Sequence, residues 1–147
     1  MFTLTKDGNL CKDGKETKPE MTVREFMEAF NVPEEAFDVS KDGNVKTYNV
    51  KDTFYDIPSE LEFSFVEDEI LDIEIIISTE PFLDKCGDDE DIQDIQREEC
   101  LKLIEKNVKY KKEDDGKWFA LYTTKDSEIV FIQEHMKAEL FIRIDYI

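Results

Sequence analysis

Histidine, cysteine, proline and glycine are all scarce in this 147-residue chain, which has one His, three Cys, four Pro and five Gly. Cys11, Cys86 and Cys100 are odd in number and have no metal-site spacing, so neither a disulfide framework nor a cysteine zinc site is indicated. Reduced structural thiols in a cytoplasmic protein are the expectation. No apolar run approaches the roughly 20 residues of a membrane helix, so no membrane association is expected. Residues 1–9, MFTLTKDGN, lack the basic-then-apolar pattern of a signal peptide. GxSxG, HExxH and GxxxxGK[ST] are absent, and the single His135 sits in a turn or at a strand edge, where packing or exposure is the usual role. Carboxylates are so numerous that no pair of them is diagnostic of a glycosidase. No catalytic residue, metal ligand or cofactor is therefore assigned, and the chain reads as a non-enzyme.

Positive charge is also in deficit. The 37 acidic residues face 19 basic ones, for a net charge of −18. Such a field repels nucleic acid and anionic membranes. It attracts basic proteins and speeds their capture. The plain alternative is that acidity keeps the chain dissolved. Disorder is excluded by the 40% hydrophobic content and eleven Phe, enough to build a core at a length that fits a single domain, residues 1–147.

Two stretches show strict alternation. In SELEFSFVEDEILDIEIII, residues 59–77, Leu61, Phe63 and Phe65 alternate with polar residues, and after the acidic turn at 67–69 Leu71, Ile73, Ile75 and Ile77 continue the phase. This predicts a β-hairpin with one buried face. SEIVFIQEHMKAELFIRIDYI, residues 127–147, repeats the plan at an offset of 68–69. Residues 2–12 predict a small N-terminal hairpin around Asp7-Gly8. Residues 45–57 predict one or two further strand segments, broken at Pro58, and residues 117–124 another strand. Residues 113–116 read as a turn.

Thr22 and Glu25 form a capping box before the stripe Val23, Phe26, Met27 and Phe30, which predicts a helix ended by Asn31 and Pro33. A second helix is predicted from about Asp91 to Asn107, with Asp91 as N-cap and Asp94 at N3. Its polar Gln96 and Glu99 fall where the first helix has Met27 and Phe30, which predicts a helix less committed to the core. The expected fold is α+β: two similar α-β-β-β halves, about 20–80 and 89–147, of mostly antiparallel sheet with a helix packed on each.

Asp38, Ser40, Asp42 and Gly43 match positions 1, 3, 5 and 6 of a calcium loop, but Asn49 stands where a bidentate Glu is needed, so an Asp-Gly turn is the better reading. The acidic clusters carry more information. They comprise Asp84, Asp88, Asp89, Glu90, Asp91, Asp94 and Glu98 before and within the second helix, and Glu67, Asp68 and Glu69 at the hairpin tip. Glu34, Glu35 and Asp38 form a smaller group. The first two clusters are the candidate surface for a basic protein partner; otherwise they are solvated surface, or, at the helix start, complement the dipole.

A small, strongly acidic, cysteine-poor α+β chain with Gly87-Asp88-Asp89-Glu90-Asp91, Glu67-Asp68-Glu69 and no catalytic set resembles the immunity proteins of bacterial toxin systems. The resemblance implies a basic partner, often a nuclease domain, whose active site or substrate path is blocked. It transfers no specific residue. Its rivals are a DNA-mimic inhibitor, a small-ligand or enzymatic domain using the cleft between the halves, and an adaptor domain with no tight partner. The tandem halves also resemble the architecture of a secreted two-part β-lactamase inhibitor. The sequence leaves the oligomeric state open.

Overall fold

The computed structural model describes residues 1–78, 89–134 and 139–146, with residues 89–93 described by their backbone alone. Alternating apolar residues build most of it. The strands β1 (Thr3–Leu4), β2 (Leu10–Lys12) and β3 (Lys15–Glu16) form a small meander. The remaining strands are β4 (Asp38–Val39), β5 (Val45–Phe54), β6 (Ile57–Val66), β7 (Glu69–Ile77), β8 (Lys111–Asp115), β9 (Phe119–Thr123), β10 (Glu128–Glu134) and β11 (Glu139–Asp145). They make one sheet in the order β4-β5-β6-β7-β11-β10-β9-β8, with every neighbouring pair antiparallel. Both hairpins read from alternation form, as β6–β7 and β10–β11.

Two α-helices are found among the described residues, α1 (Val23–Phe30) and α2 (Asp89–Asn107). At α1 the capping box closes as read: Glu25 N donates to Thr22 Oγ1 and Thr22 N donates to Glu25 Oε1, each at 3.1 Å. Asn31 then ends the helix in the left-handed conformation at φ 55°. Phe26 is the hub beneath it, with ring centroids 4.8 Å from Phe63, 4.9 Å from Phe30 and 5.3 Å from Phe65. The longer α2 lies over the other end of the same sheet face. Cys100, Leu101, Ile104 and Val108 are buried there, and Tyr122 Oη donates to Glu105 Oε2 at 2.8 Å.

The expectation of two α-β-β-β halves is overturned. Among the described residues strand far outweighs helix, so the fold is dominated by antiparallel sheet. Its α+β character is retained, but the strand count and helix roles differ from the expectation. Lys111–Asp115, read in part as a turn, is the edge strand β8, and Asp38–Val39 adds β4 at the other edge. Both are too polar and too exposed to show a burial alternation. Pro58 does not break the run. The turn falls earlier, at Tyr55-Asp56 with φ 47° and 65°, and Pro58 sits within β6, where its carbonyl accepts from Ser78 N at 3.0 Å. Positive φ at both central residues is the type I′ geometry that suits a two-residue hairpin.

The small meander closes the covered face between α1 and the far end of the sheet. Tyr146 Oη donates to Asn9 Oδ1 at 2.8 Å and lies 2.6 Å from Thr17 Oγ1. Asn9 Nδ2 donates to Asp126 Oδ2 at 2.8 Å, and Ser127 Oγ donates to the Gly8 carbonyl at 2.6 Å. Gly8 has φ 90°, and a Cβ there would stand 2.1 Å from Thr124 Oγ1 and 2.6 Å from Ser127 Oγ. No shift of a flexible side-chain end relieves both, because both hydroxyls are already committed to hydrogen bonds.

Gly8→Ala is therefore expected to lower stability by roughly 2 kcal/mol or more, combining left-handed strain with the clash. Urea unfolding measures it, and an unchanged midpoint would refute this packing. Ile73→Asp or Ile142→Asp places a carboxylate at a position with 0% exposure. The cost is comparable to a whole domain stability of ~5–15 kcal/mol, so neither variant should give a cooperative melt.

Candidate protein-binding face

The acidic residues singled out in the sequence separate into three groups. Asp84 and Asp88 lie outside the described residues, as does His135. Asp89, Glu90 and Asp91 form the start of α2, which begins two residues earlier than read, so Asp91 stands inside the helix and is not its N-cap. Asp94 and Glu98 are exposed on α2. Glu67, Asp68 and Glu69 are exposed at the β6–β7 tip, far along the chain from α2. The reading of Gln96 is corrected as well. It has 3% exposure and its Oε1 accepts from Gln133 Nε2 at 3.3 Å, so this position belongs to the core face of α2.

The Asp38–Asn49 segment closes the β4–β5 hairpin. Asp42 Oδ1 accepts from Ser40 Oγ at 2.6 Å and from Asn44 N at 3.1 Å, and Asp38 pairs with Thr47 in the ladder. These bonds, Ser40 Oγ first, hold the Asp42 carboxyl below its ordinary range. The residues that matched a calcium loop are thus used by a turn. Cys100 is fully buried and burial pushes its thiol up to about 12, as for a packing residue.

A denser charge arrangement lies on the sheet face opposite the helices. Its charged residues are half-buried, Val130 beside them is buried, and strand register sets them side by side. One row runs Asn49, Glu62, Glu74, Arg143, Val130, Leu121 across β5, β6, β7, β11, β10 and β9. The next runs Thr47, Ser64, Asp72, Asp145, Glu128, Thr123 across the same strands. Glu62 is thus directly opposite Glu74, and Asp145 stands between Asp72 and Glu128. A third row, Glu60, Ile76, Phe141, Ile132, Phe119, lays an apolar band beside them.

Like charges directly opposite each other destabilise a sheet. Among the described residues of the first two rows one cation faces five carboxylates: Arg143, whose Nε donates to Asp145 Oδ1 at 2.7 Å. That hydrogen bond holds the guanidinium charge more firmly than usual. Asp72 titrates above the ordinary carboxylate range, through partial burial first and the Asp145 charge second, with Arg143 opposing. Glu74 is raised too, by partial burial and then by Glu62 and Asp72. Leu71, Asp72, Arg143, Asp145 and Tyr146 line a groove of about 480 Å³ at this point. The arrangement suits capture of cationic side chains beside apolar ones. Sequence reading placed Asp72 and Glu74 on a polar face but missed the site, because the β7–β11 register that sets Asp145 and Arg143 beside them is not a local signal.

No family model matches the chain, and no curated protein and no solved structure is significantly similar to it.

The raised carboxyls have a thermodynamic consequence. The folded state binds protons at Asp72 and Glu74 more tightly than the unfolded chain does. Their charged forms therefore oppose folding at neutral pH, and this opposition disappears as pH falls below their raised values toward ~4. Glu62→Gln removes a repelling charge from both without deleting a cation partner. It is expected to stabilise the protein by roughly 0.5 kcal/mol at pH 7, with the gain shrinking toward pH 4. Denaturant unfolding at the two pH values tests this; destabilisation at pH 7 would contradict the repulsion.

Proposed function

We propose that the chain is a non-enzymatic binding protein that neutralises a basic protein partner through this sheet face, in the manner of immunity proteins that block toxin domains of the nuclease type. The observation that carries the reading is the direct opposition of Glu62 to Glu74 and of Asp72 to Asp145 in strand register. Folding gains nothing from placing like charges there; a cationic partner does, because each Lys or Arg that docks relieves a repulsion already present. The net charge of −18 steers such a partner toward the chain. The apolar row through Phe141 and Ile132 supplies the desolvated contact that charge alone does not give.

The test uses a panel of purified basic nuclease domains and interferometry across a salt series. At least one domain is expected to bind at micromolar concentration or below, lose activity, and associate more slowly as salt rises. The variant Glu62→Gln, Asp72→Asn, Glu74→Gln should associate roughly tenfold more slowly at low salt, with a flatter salt dependence and no loss of thermal stability. An association rate and salt slope equal to those of the unaltered chain would sink the assignment of this face.

A further inference from the structure

We infer that Leu71 is the apolar contact of the charged sheet face: it carries the aliphatic stem of a Lys or Arg from the basic partner, while Asp72 and Asp145 hold the charged head. The inference rests on the reading above and names the contact that makes the face select long cationic side chains.

The starting observation is a break in alternation. Strict alternation along residues 71–77 places Leu71 on the buried face with Ile73, Ile75 and Ile77. It is not there. The β6–β7 ladder pairs Ser64 with Asp72 and then Phe65 with Ile70, so Leu71 is an extra residue in a β-bulge. Ile70 is buried at 5% and Ile73 at 0%, whereas Leu71 is 45% exposed and Asp72 is half-buried. Two successive residues therefore stand outside the core between two isoleucines inside it. The bulge is held from β11 as well, where Tyr146 N donates to the Leu71 carbonyl at 2.9 Å. A bulge re-aims a side chain and fixes its place. Here it puts leucine on the groove of about 480 Å³ that Asp72, Arg143 and Asp145 also line.

The bulge explains the extra residue and the burial of Ile70. It does not explain why the extra residue is leucine at a position nearly half in water. Single exposed apolar residues are common on protein surfaces, so the neighbours decide the use of this one. Among the described residues of the two charged rows, Arg143 is the one cation against five carboxylates, and it already donates to Asp145 at 2.7 Å. An anionic occupant is repelled. A purely aliphatic one would cover Leu71 and leave the carboxylates opposed. Lys and Arg satisfy both surfaces, because their methylene stems lie along apolar groups while the charged head stays with carboxylates. Leu71 is also more open to solvent than the half-buried charges beside it, so a docking side chain reaches it directly.

The probe is the peptide acetyl-Gly-Arg-Gly-Arg-Gly-amide, titrated into the isotope-labelled full chain and followed by amide chemical shifts. A short-stem control replaces both arginines by 2-amino-3-guanidinopropionic acid, which keeps the charge and removes methylenes. The arginine peptide is expected to shift the amides of Leu71, Asp72 and Asp145, and to bind roughly fivefold more tightly than the control. Leu71→Ser should abolish that preference by weakening the arginine peptide alone, and Leu71→Met should keep it. Asp72→Asn should weaken both peptides. Equal binding of the two peptides to the unaltered chain overturns the stem contact without any variant. A preference for arginine that survives Leu71→Ser in a chain with an unchanged thermal midpoint overturns it too. In either case, weakening of both peptides by Asp72→Asn leaves the sheet-face reading standing. No shift on this face with either peptide overturns both.

Discussion

The pairing of β7 with β11 is the contact on which the rest depends. It sets Ile73 against Ile144 and Ile75 against Ile142, four side chains with 0% exposure, at the centre of the sheet. Without it the sheet would divide into two four-stranded meanders, each with a long unpaired edge. The same register fixes the opposite face, where Asp72 meets Asp145 and Glu74 meets Arg143. A slip of one residue would exchange the two faces. Core and charge rows are therefore specified together, and the isoleucines that hold the sheet also hold the carboxylates in opposition.

Local signals in the sequence were reliable where one face is buried and the other wet. The alternation of residues 59–77 and 127–147 marks two hairpins because each faces the core on one side only. The capping box at Thr22 and Glu25 marks α1 because it depends on residues three apart. The edge strands β4 and β8 give no such signal, since neither has a consistently buried face. The Tyr55-Asp56 turn also escaped notice, as it lacks the Gly or Asn that usually advertises positive φ. At Gln96 polarity misled outright: the side chain is buried against another glutamine, and residue type alone does not reveal a paired amide.

The candidate site was legible as a quantity and not as a place. The composition shows a surplus of carboxylates, and their runs draw attention to the helix start and the hairpin tip. The strained opposition arises elsewhere, from Glu62, Asp72, Glu74 and Asp145, which alternate with apolar residues and form no run. A run of acidic residues on a helix or loop spreads into solvent at little cost. Alternating acidic residues on adjacent strands are held at cross-strand spacing and partly shielded from water, so their repulsion persists.

The polar clasp at the end of the sheet has a bearing on the order of synthesis. Tyr146 reaches Thr17 across 129 positions and Asn9 across 137. The contacts of Asn9 and Thr17 with Tyr146 therefore close only once β11 and the residue after it have been translated. Until then β7 also lacks its central neighbour, and its isoleucine-rich edge stays open. The interval between translation of β7 and arrival of β11 is the period in which a nascent chain can pair with the wrong strand, its own or another's. The surplus of negative charge carried by every copy opposes the intermolecular version of that error.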